Sequence, residues 1–523
     1  MKTMIPARTA TWRRCRAGLA AAALLTAIAV VAAPAIAEAK PPKRPNVVLF
    51  VTDDQATQTV RPDTMPNLLS LFRPSATEFT NAIVTTPLCC PSRATMLTGQ
   101  YGHNNGVLRN DYRQLDERNN TLPVWLSRAG YRTIHVGKYL NLYRKARGPE
   151  AEPAPGWDAW QTVQEPINYY DYDWSVNGRT KHYGTEDRDY LTDVINRKAV
   201  SQVRRFAPKR KPFYMQLDEY APHDSPGRGT GPCHTNHDPV PAPTEENLFQ
   251  SAELPQPPSF DESDVSDKPS FMRHQLPVDV SAVTRNYRCA LASLRAVDRG
   301  IAQVHRALKK AGELSDTVFI FTSDNGYYYG EHRLRYKLNP YEEALRVPLM
   351  ISIPPRFLDG AAAVSRTSEP VANIDFAPTI LELADASPCR KRGKCRVMDG
   401  RSLMPLLRGS ATWPHDRALM IEYEGKHHGF SSCIYQGVRV PGQVYIEHPV
   451  VPNFDTAECV PSSEAEHYDL EDDPYQLENL YPAPAATPDG QRQRALALRL
   501  QGLRGCSGIP GRDAPRPGRP QCE

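Results

Sequence analysis

Five short apolar runs, separated by segments of helical periodicity, constrain the fold of this chain more than any other feature. They lie at 46–51, 132–136, 212–217, 318–321 and 347–353. Short, largely apolar runs of this kind suit strands buried on both faces. Helical patterns fall between them, at 121–129, 191–206 and 287–311. Such alternation predicts an α/β fold: a large, mostly parallel sheet flanked by helices on both faces, with all five runs as parallel strands. Ligands in these sheets bind beyond the carboxyl ends of the strands. The residues that follow each run are therefore the first place to look for chemistry.

Those residues are polar and charged. The run 46–51 leads into Thr52-Asp53-Asp54-Gln55, and 318–321 leads into Thr322-Ser323-Asp324-Asn325-Gly326. The run 132–136 is followed by Gly137-Lys138-Tyr139, and 212–217 leads to Pro222-His223. Asp53, Asp54, Asp324 and Asn325 offer oxygen donors alone, which suits a hard divalent cation, Ca²⁺ ahead of Mg²⁺. An isolated Asp-Asp pair is more often a cap or a turn. Four strand ends delivering oxygens, a lysine and a histidine to one edge argue for a site.

A further segment, Leu88-Cys89-Cys90-Pro91-Ser92-Arg93-Ala94-Thr95-Met96-Leu97-Thr98-Gly99, reads as the start, body and stop of a helix. Pro91 suits a first turn, where its missing N–H goes unused, and Gly99 suits a C-terminal cap. Cys89 then sits just ahead of the helix N-terminus, where free N–H groups favour an anion, with Arg93 within the first turn. The segment resembles the signature of the sulfatase family, Cys-x-Pro-Ser-Arg followed by Leu-Thr-Gly. In that family the cysteine is oxidised before folding to Cα-formylglycine, whose hydrate attacks sulfate esters and then expels sulfate to restore the aldehyde. The resemblance implies this modification at Cys89, and a formylglycine-generating enzyme as a partner during maturation. It also implies Ca²⁺ held by Asp53, Asp54, Asp324, Asn325 and the modified Cys89. Arg93, Lys138, His223 and Lys337 would be the charged groups around the sulfate. Lys337 is assigned by its place between Gly330-Glu331-His332 and Tyr341-Glu342-Glu343.

The resemblance covers roughly residues 44–480, most densely up to 345. One position departs from it. Many arylsulfatases carry histidine two residues after the Gly-Lys lysine, where this chain has Leu140 followed by Asn141. Gly137-Lys138-Tyr139-Leu140-Asn141, with His103-Asn104-Asn105, is similar to the branch that removes 6-O-sulfate from glucosamine. Sulfated sugars such as N-acetylglucosamine 6-sulfate are the substrates so implied, with the base that breaks the hydrate unassigned. A phosphonate or phosphate monoester hydrolase of the same superfamily is the alternative enzyme reading. A glycan-binding protein without catalysis is the alternative from another class.

A chain of 523 residues exceeds what one core usually serves. Residues 1–39 read as a signal peptide, with arginines, an alanine-rich apolar stretch and small residues for cleavage. Residues 40–405 read as the catalytic domain. Residues 406–523 read as a smaller α+β domain with an antiparallel sheet, an amphipathic helix at 491–503 and a low-complexity tail. Export predicts a secreted or extracytoplasmic protein without stable membrane contact after cleavage. A formal charge of +4 is too mild to point to nucleic acid. Eight of the 11 cysteines lie outside the signal and the motif, an even number that suits disulfides in an exported chain. Pairing of chain neighbours (233–289, 389–395, 433–459, 506–522) is the expectation, although sequence leaves other connectivities open. Residues 224–278, rich in Pro, Asp and Ser, are expected to form a long loop that shapes the substrate pocket.

Overall fold

The computed structural model describes residues 44–148, 152–207, 211–226, 231–233, 235, 237–361, 363–414, 416–425, 433–456 and 458–522; the expected signal at 1–39 lies outside them. Residues from Arg44 onward form one compact unit. Its centre is a ten-stranded sheet. The strands that matter here are β1 (Asn46–Thr52), β2 (Arg132–Gly137), β3 (Phe213–Asp218), β4 (Thr317–Ser323) and β5 (Leu349–Ser352). They lie in the order β5-β4-β1-β3-β2, and β4, β1, β3 and β2 are mutually parallel.

Strand β1 shows why its run does not alternate. Val47, Leu49 and Val51 enter one core with Trp125, Ile320 and Leu381. Val48 and Phe50 enter a second core, on the other face, with Val194, Val297 and Phe319. Each such side chain contributes about 1.5–3 kcal/mol when fully buried, so a polar residue on either face would be costly. The signature helix α1 (Cys89–Thr98) has every residue buried and stops at Gly99, whose φ of 65° is left-handed. Helices α2 (Leu191–Phe206) and α3 (Val280–Ala311) add residues to the second core. Helix α3 begins seven residues before its apolar period does. Asp279 caps it by accepting from Ala282 N; Val280 and Ser281 are exposed, and the buried positions begin at Val283.

One strand corrects the expected topology. β5 runs antiparallel to both neighbours, β4 and Ala76–Phe79. The chain leaves β4 at the carboxyl edge, builds the loops that carry Lys337, and re-enters the sheet from that same edge. A strand that returns this way can only run antiparallel, whatever its apolar content.

The C-terminal part carries the expected antiparallel sheet, with Leu419–Glu424, Ile434–Val440, Gln443–Asn453 and Glu458–Asp469 side by side in that order. Helix Pro488–Leu503 buries Leu496, Leu500 and Leu503 in the same core as Tyr101, Leu345, Ile374 and Ile421. Four disulfides join Cys233–Cys289, Cys389–Cys395, Cys433–Cys459 and Cys506–Cys522, the neighbour pairing expected. The last of them holds the Pro- and Gly-rich tail, where Gly508 N also donates to Asp399 Oδ1 at 2.9 Å. Among the described residues no helix is long and apolar enough to cross a membrane.

A buried ion pair fastens the C-terminal sheet to the short helix Glu342–Leu345 that precedes β5. Arg439, on Ile434–Val440, donates to both oxygens of Glu342, at 2.7 and 2.8 Å. Burial alone would raise the Glu342 carboxyl; Arg439 and Arg346 outweigh it and hold it at about 2. A carboxyl so depressed stabilises the fold above its ordinary value of 4.5, and that contribution is lost as pH falls toward 2. Arg439→Met leaves the carboxylate buried with one partner fewer. It is expected to cost about 3–5 kcal/mol, read as a lower denaturant midpoint at neutral pH.

Candidate active site

Strand register assembles the site. Thr52 pairs with Ser323, Val51 with Asp218, and Asp218 with Gly137. Asp53 and Asp324 therefore leave the sheet at one level, and Glu219 and Lys138 one residue below them on the same edge. Backbone bonds continue past the strands, from Asp324 N to Thr52 O at 3.0 Å and from Lys138 N to Asp218 O at 2.9 Å. Gly137 has a φ of 112°, and a Cβ there would lie 1.8 Å from the Asp218 carbonyl oxygen, so glycine is required. Asp54 is left-handed, with φ at 65°, a conformation aspartate tolerates better than most residues. That turn helps bring its carboxylate beside that of Asp53.

Cys89 is the first residue of α1. Its Sγ lies 3.5 Å from Asp53 Oδ1 and 3.2 Å from Lys337 Nζ. Ligand atoms of Asp53, Asp54, Cys89 and His223 all lie within 4.8 Å of one another. Lys138 donates to Asp53 Oδ2, and Lys337 to Asp54 Oδ1. Asn325 Nδ2 donates to Asp54 Oδ1 at 2.7 Å, and Asp324 Oδ1 accepts from Asp54 N at 3.1 Å. The residues expected at the site from sequence thus converge, from four strand ends, the signature helix and the loop after β4.

Charge is balanced within this cluster. Arg93 is 2% exposed. It donates to Asp324 Oδ2 at 2.8 Å and Asp218 Oδ1 at 2.7 Å, and lies 3.6 Å from Asp53 Oδ2. It neutralises the carboxylates beneath the site and, like Cys89 and Lys138, lies behind the residues that line the pocket, Lys337 and His223 among them. Burial pushes the Asp53 carboxyl up, but Lys138, His223 and Arg93 outweigh it and hold it below the usual range. Burial disfavours the ammonium groups of Lys138 and Lys337, yet Asp53 for the first and Asp54 for the second raise both above the ordinary lysine value. His223 is raised too: Tyr220, Asp54 and Asp53 outweigh the cost of burying its charge. Its Nδ1 faces Asp224, 2.6 Å from the carbonyl oxygen and 3.0 Å from Oδ1, while Nε2 lies 3.7 Å from Asp54 Oδ2. Cys90 differs from its neighbour. It packs in the first core, and burial pushes its thiol far above the normal cysteine value.

The donor set suits a divalent cation. Asp53, Asp54 and Asp324 are buried carboxylates, and Asn325 Oδ1 is a buried oxygen without a hydrogen-bond donor. These are hard oxygen ligands, and carboxylates buried this fully need cations nearby. The same cluster includes His223 Nε2 or Nδ1 within reach, a donor the oxygen-only reading of the sequence left out.

A model of the family described as "Sulfatase" matches residues 45–386. The chain belongs to the sulfatase family. A second model, "N-sulphoglucosamine sulphohydrolase, C-terminal", matches residues 330–504 of this sulfatase. The chain is 33% identical over 402 residues to the extracellular sulfatase SULF-1 homolog of Drosophila melanogaster, covering 73% of this chain and 33% of that protein. It therefore spans about a third of that relative's length. It is 30% identical over 507 residues to the human N-acetylglucosamine-6-sulfatase, covering 89% of this chain and 85% of that protein. Among solved structures it resembles BT4656 in complex with its substrate D-glucosamine-2-N,6-O-disulfate. The TM-score is 0.70 at 25% identity, over 88% of this chain and 97% of that one.

Next to the Cys89 cluster the sulfatase opens a cavity of about 690 Å³, lined by Lys337, whose Nζ lies 3.2 Å from Cys89 Sγ. Asp54, His223 and Lys337 line it, together with residues that sequence reasoning did not select: Arg109, Asp111, Asp224, His237, Arg335 and Tyr336. Asp224 and His237 come from the loop expected at 224–278 to shape the pocket. Asp218, which grips Arg93, was within reach of the strand-end rule, being the last residue of β3. The His103-Asn104-Asn105 segment points elsewhere. His103 Nδ1 lies 3.0 Å from Glu422 Oε2, and Asn104 donates to Asp399 and the Cys506 carbonyl, so these residues join the signature helix to the C-terminal part. Leu140 is buried in the first core.

Proposed function

We propose that this sulfatase hydrolyses sulfate monoesters on sulfated sugars, N-acetylglucosamine 6-sulfate among them. Cys89 is converted to Cα-formylglycine by a formylglycine-generating enzyme, and Asp53, Asp54, Asp324 and Asn325 hold Ca²⁺. The observation that carries the reading is the position of Cys89 at a helix N-terminus, between Asp53 and Lys337, the latter lining a cavity of about 690 Å³. The N-acetylglucosamine-6-sulfatases among its relatives and the sulfated glucosamine bound by BT4656 support the substrate class. Four disulfides and extracellular relatives support an extracytoplasmic location.

When present, formylglycine supplies a nucleophilic oxygen and the cation polarises a sulfuryl oxygen. The chain's own residues do the rest. Lys138 and Lys337 stabilise negative charge on the sulfuryl oxygens as the ester bond breaks. His223 has its Nδ1 side fixed on Asp224, which leaves Nε2 to give a proton to the departing alcohol oxygen. Arg93 balances the buried carboxylates and so keeps the site charged as the chemistry needs.

The test is turnover of matched aryl sulfate, phosphate and phosphonate esters, then of defined sulfated sugars, by protein made with the formylglycine-generating enzyme. Preference for sulfate, with release from 6-sulfated glucosamine, is expected. Preference for phosphorus esters would reject the sulfatase chemistry. Binding of sulfated glycans without any turnover would leave only a binding protein.

A further inference from the structure

The scissile sulfate has its own cations in Lys138, Lys337 and His223, yet the cavity wall holds more. Arg109 is paired with Glu424. His223 and His237 flank Asp224, at 3.0 and 3.5 Å. Asp111 is taken by Arg113. Arg335 differs: it lines the same cavity, half-buried, and its side chain makes no ion pair or hydrogen bond among the described residues. Its guanidinium lies 5.3 Å from the centre of the neighbouring Tyr336 ring. The segments 227–230 and 426–432, which follow pocket-forming stretches in the chain, contain no aspartate or glutamate.

The backbone explains how Arg335 reaches the pocket. Tyr336 and Leu338, on either side of Lys337, have φ of 73° and 94°, in the left-handed region. Residues this bulky rarely adopt it, and such strain collects at ligand sites. Strict strand alternation would turn every second side chain away. Here Arg335, Tyr336, Lys337 and Leu338 all line the cavity. Arg335 stands two residues from Lys337, on the order of 6–7 Å of chain, about one sugar ring away.

A guanidinium partly withdrawn from water without an anion is costly, and its planar fork matches the oxygens of sulfate, sulfamate or carboxylate. We infer that Arg335 binds a second oxyanion on the substrate, on the same sugar or the adjoining one, so that the enzyme selects doubly charged sugars over monosulfated ones. This inference rests on the sulfated-sugar reading given above and narrows it.

The experiment compares formylglycine-converted wild type, Arg335→Ala and Arg335→Lys on four substrates. These are an aryl sulfate, N-acetylglucosamine 6-sulfate, glucosamine 2-N,6-O-disulfate, and a disaccharide of N-acetylglucosamine 6-sulfate with a uronic acid. Wild type is expected to favour one of the last two, and which one it favours identifies the second anion as sulfamate or carboxylate. Arg335→Ala is expected to raise KM for that substrate roughly 10- to 100-fold, the range of a charge-assisted hydrogen bond, with little change in kcat. The loss on the singly charged substrates is smaller, and Arg335→Lys restores part of the preference. No preference in wild type, or an equal loss on all four substrates in Arg335→Ala, overturns the inference. If no substrate turns over, the hydrolase reading fails by itself. Arg335 is then tested by calorimetry of the sugars on Cys89→Ala protein, where equal affinity with and without the arginine overturns it.

Discussion

Cys89→Ala protein is expected to lose turnover by four orders of magnitude or more, roughly the scale on which covalent enzymes fall when their nucleophile goes. The reason is local. Cys89 Sγ is the atom at position 89 that faces both Asp53 and Lys337, and α1 offers no substitute. Cys90, one residue on, points into the first core with its thiol protonated by burial, so it cannot take over. The paired control is Cys90→Ala, which removes packing from the core but is expected to keep turnover. Thermal unfolding of Cys89→Ala should stay close to wild type, which separates lost chemistry from lost structure. Mass spectrometry of the peptide containing residue 89 supplies the second arm: active wild type should carry the aldehyde there. A free thiol at position 89 in fully active protein would exclude the formylglycine mechanism.

Sequence exposed the site because the sheet does most of the positioning. Once 46–51 and 318–321 are parallel neighbours in register, Asp53 and Asp324 must leave the edge together, and the strand pattern contains that information. Long-range partners are a different matter. Nothing local to Arg93 says that its guanidinium will meet Asp218, 125 residues on, and Asp324, 231 residues on, under the site. As a motif residue it reads as a sulfate ligand; packing makes it the counter-ion of the carboxylates. The direction of β5 was hidden for a related reason, since apolar content records burial on both faces and carries no sense of direction. The His103-Asn104-Asn105 resemblance tracked family membership, and its physical use is to dock the C-terminal part. The pocket wall was the least legible region. Arg335 and Tyr336 reach the cavity through left-handed turns at bulky residues, which no propensity rule would place there.

Asp54→Asn protein is expected to lose both catalysis and its response to divalent cations. Asp54 is the carboxylate that ties the site together: Lys337 donates to it, Asn325 donates to it at 2.7 Å, and His223 Nε2 lies 3.7 Å away. A ligand that binds only the folded state stabilises it by RT ln(1 + [L]/Kd), about 2.7 kcal/mol at a hundredfold excess over Kd. Wild type titrated with Ca²⁺ should therefore unfold at a higher temperature, with no substrate present and whatever the state of Cys89. Mg²⁺ should raise it less, because an oxygen-rich buried set with four potential protein donors fits the larger, more adaptable coordination of Ca²⁺. In Asp54→Asn the amide keeps the shape but gives up the negative charge. The added stabilisation should shrink toward zero at the same Ca²⁺ concentration, and turnover should fall by several orders of magnitude. Asp63→Asn serves as the control: Asp63 is a surface carboxylate paired with Arg61, and its loss should leave the cation response intact. A full Ca²⁺ response in Asp54→Asn would remove the ion from this cluster, and equal responses to Ca²⁺ and Mg²⁺ would remove the argument from donor number.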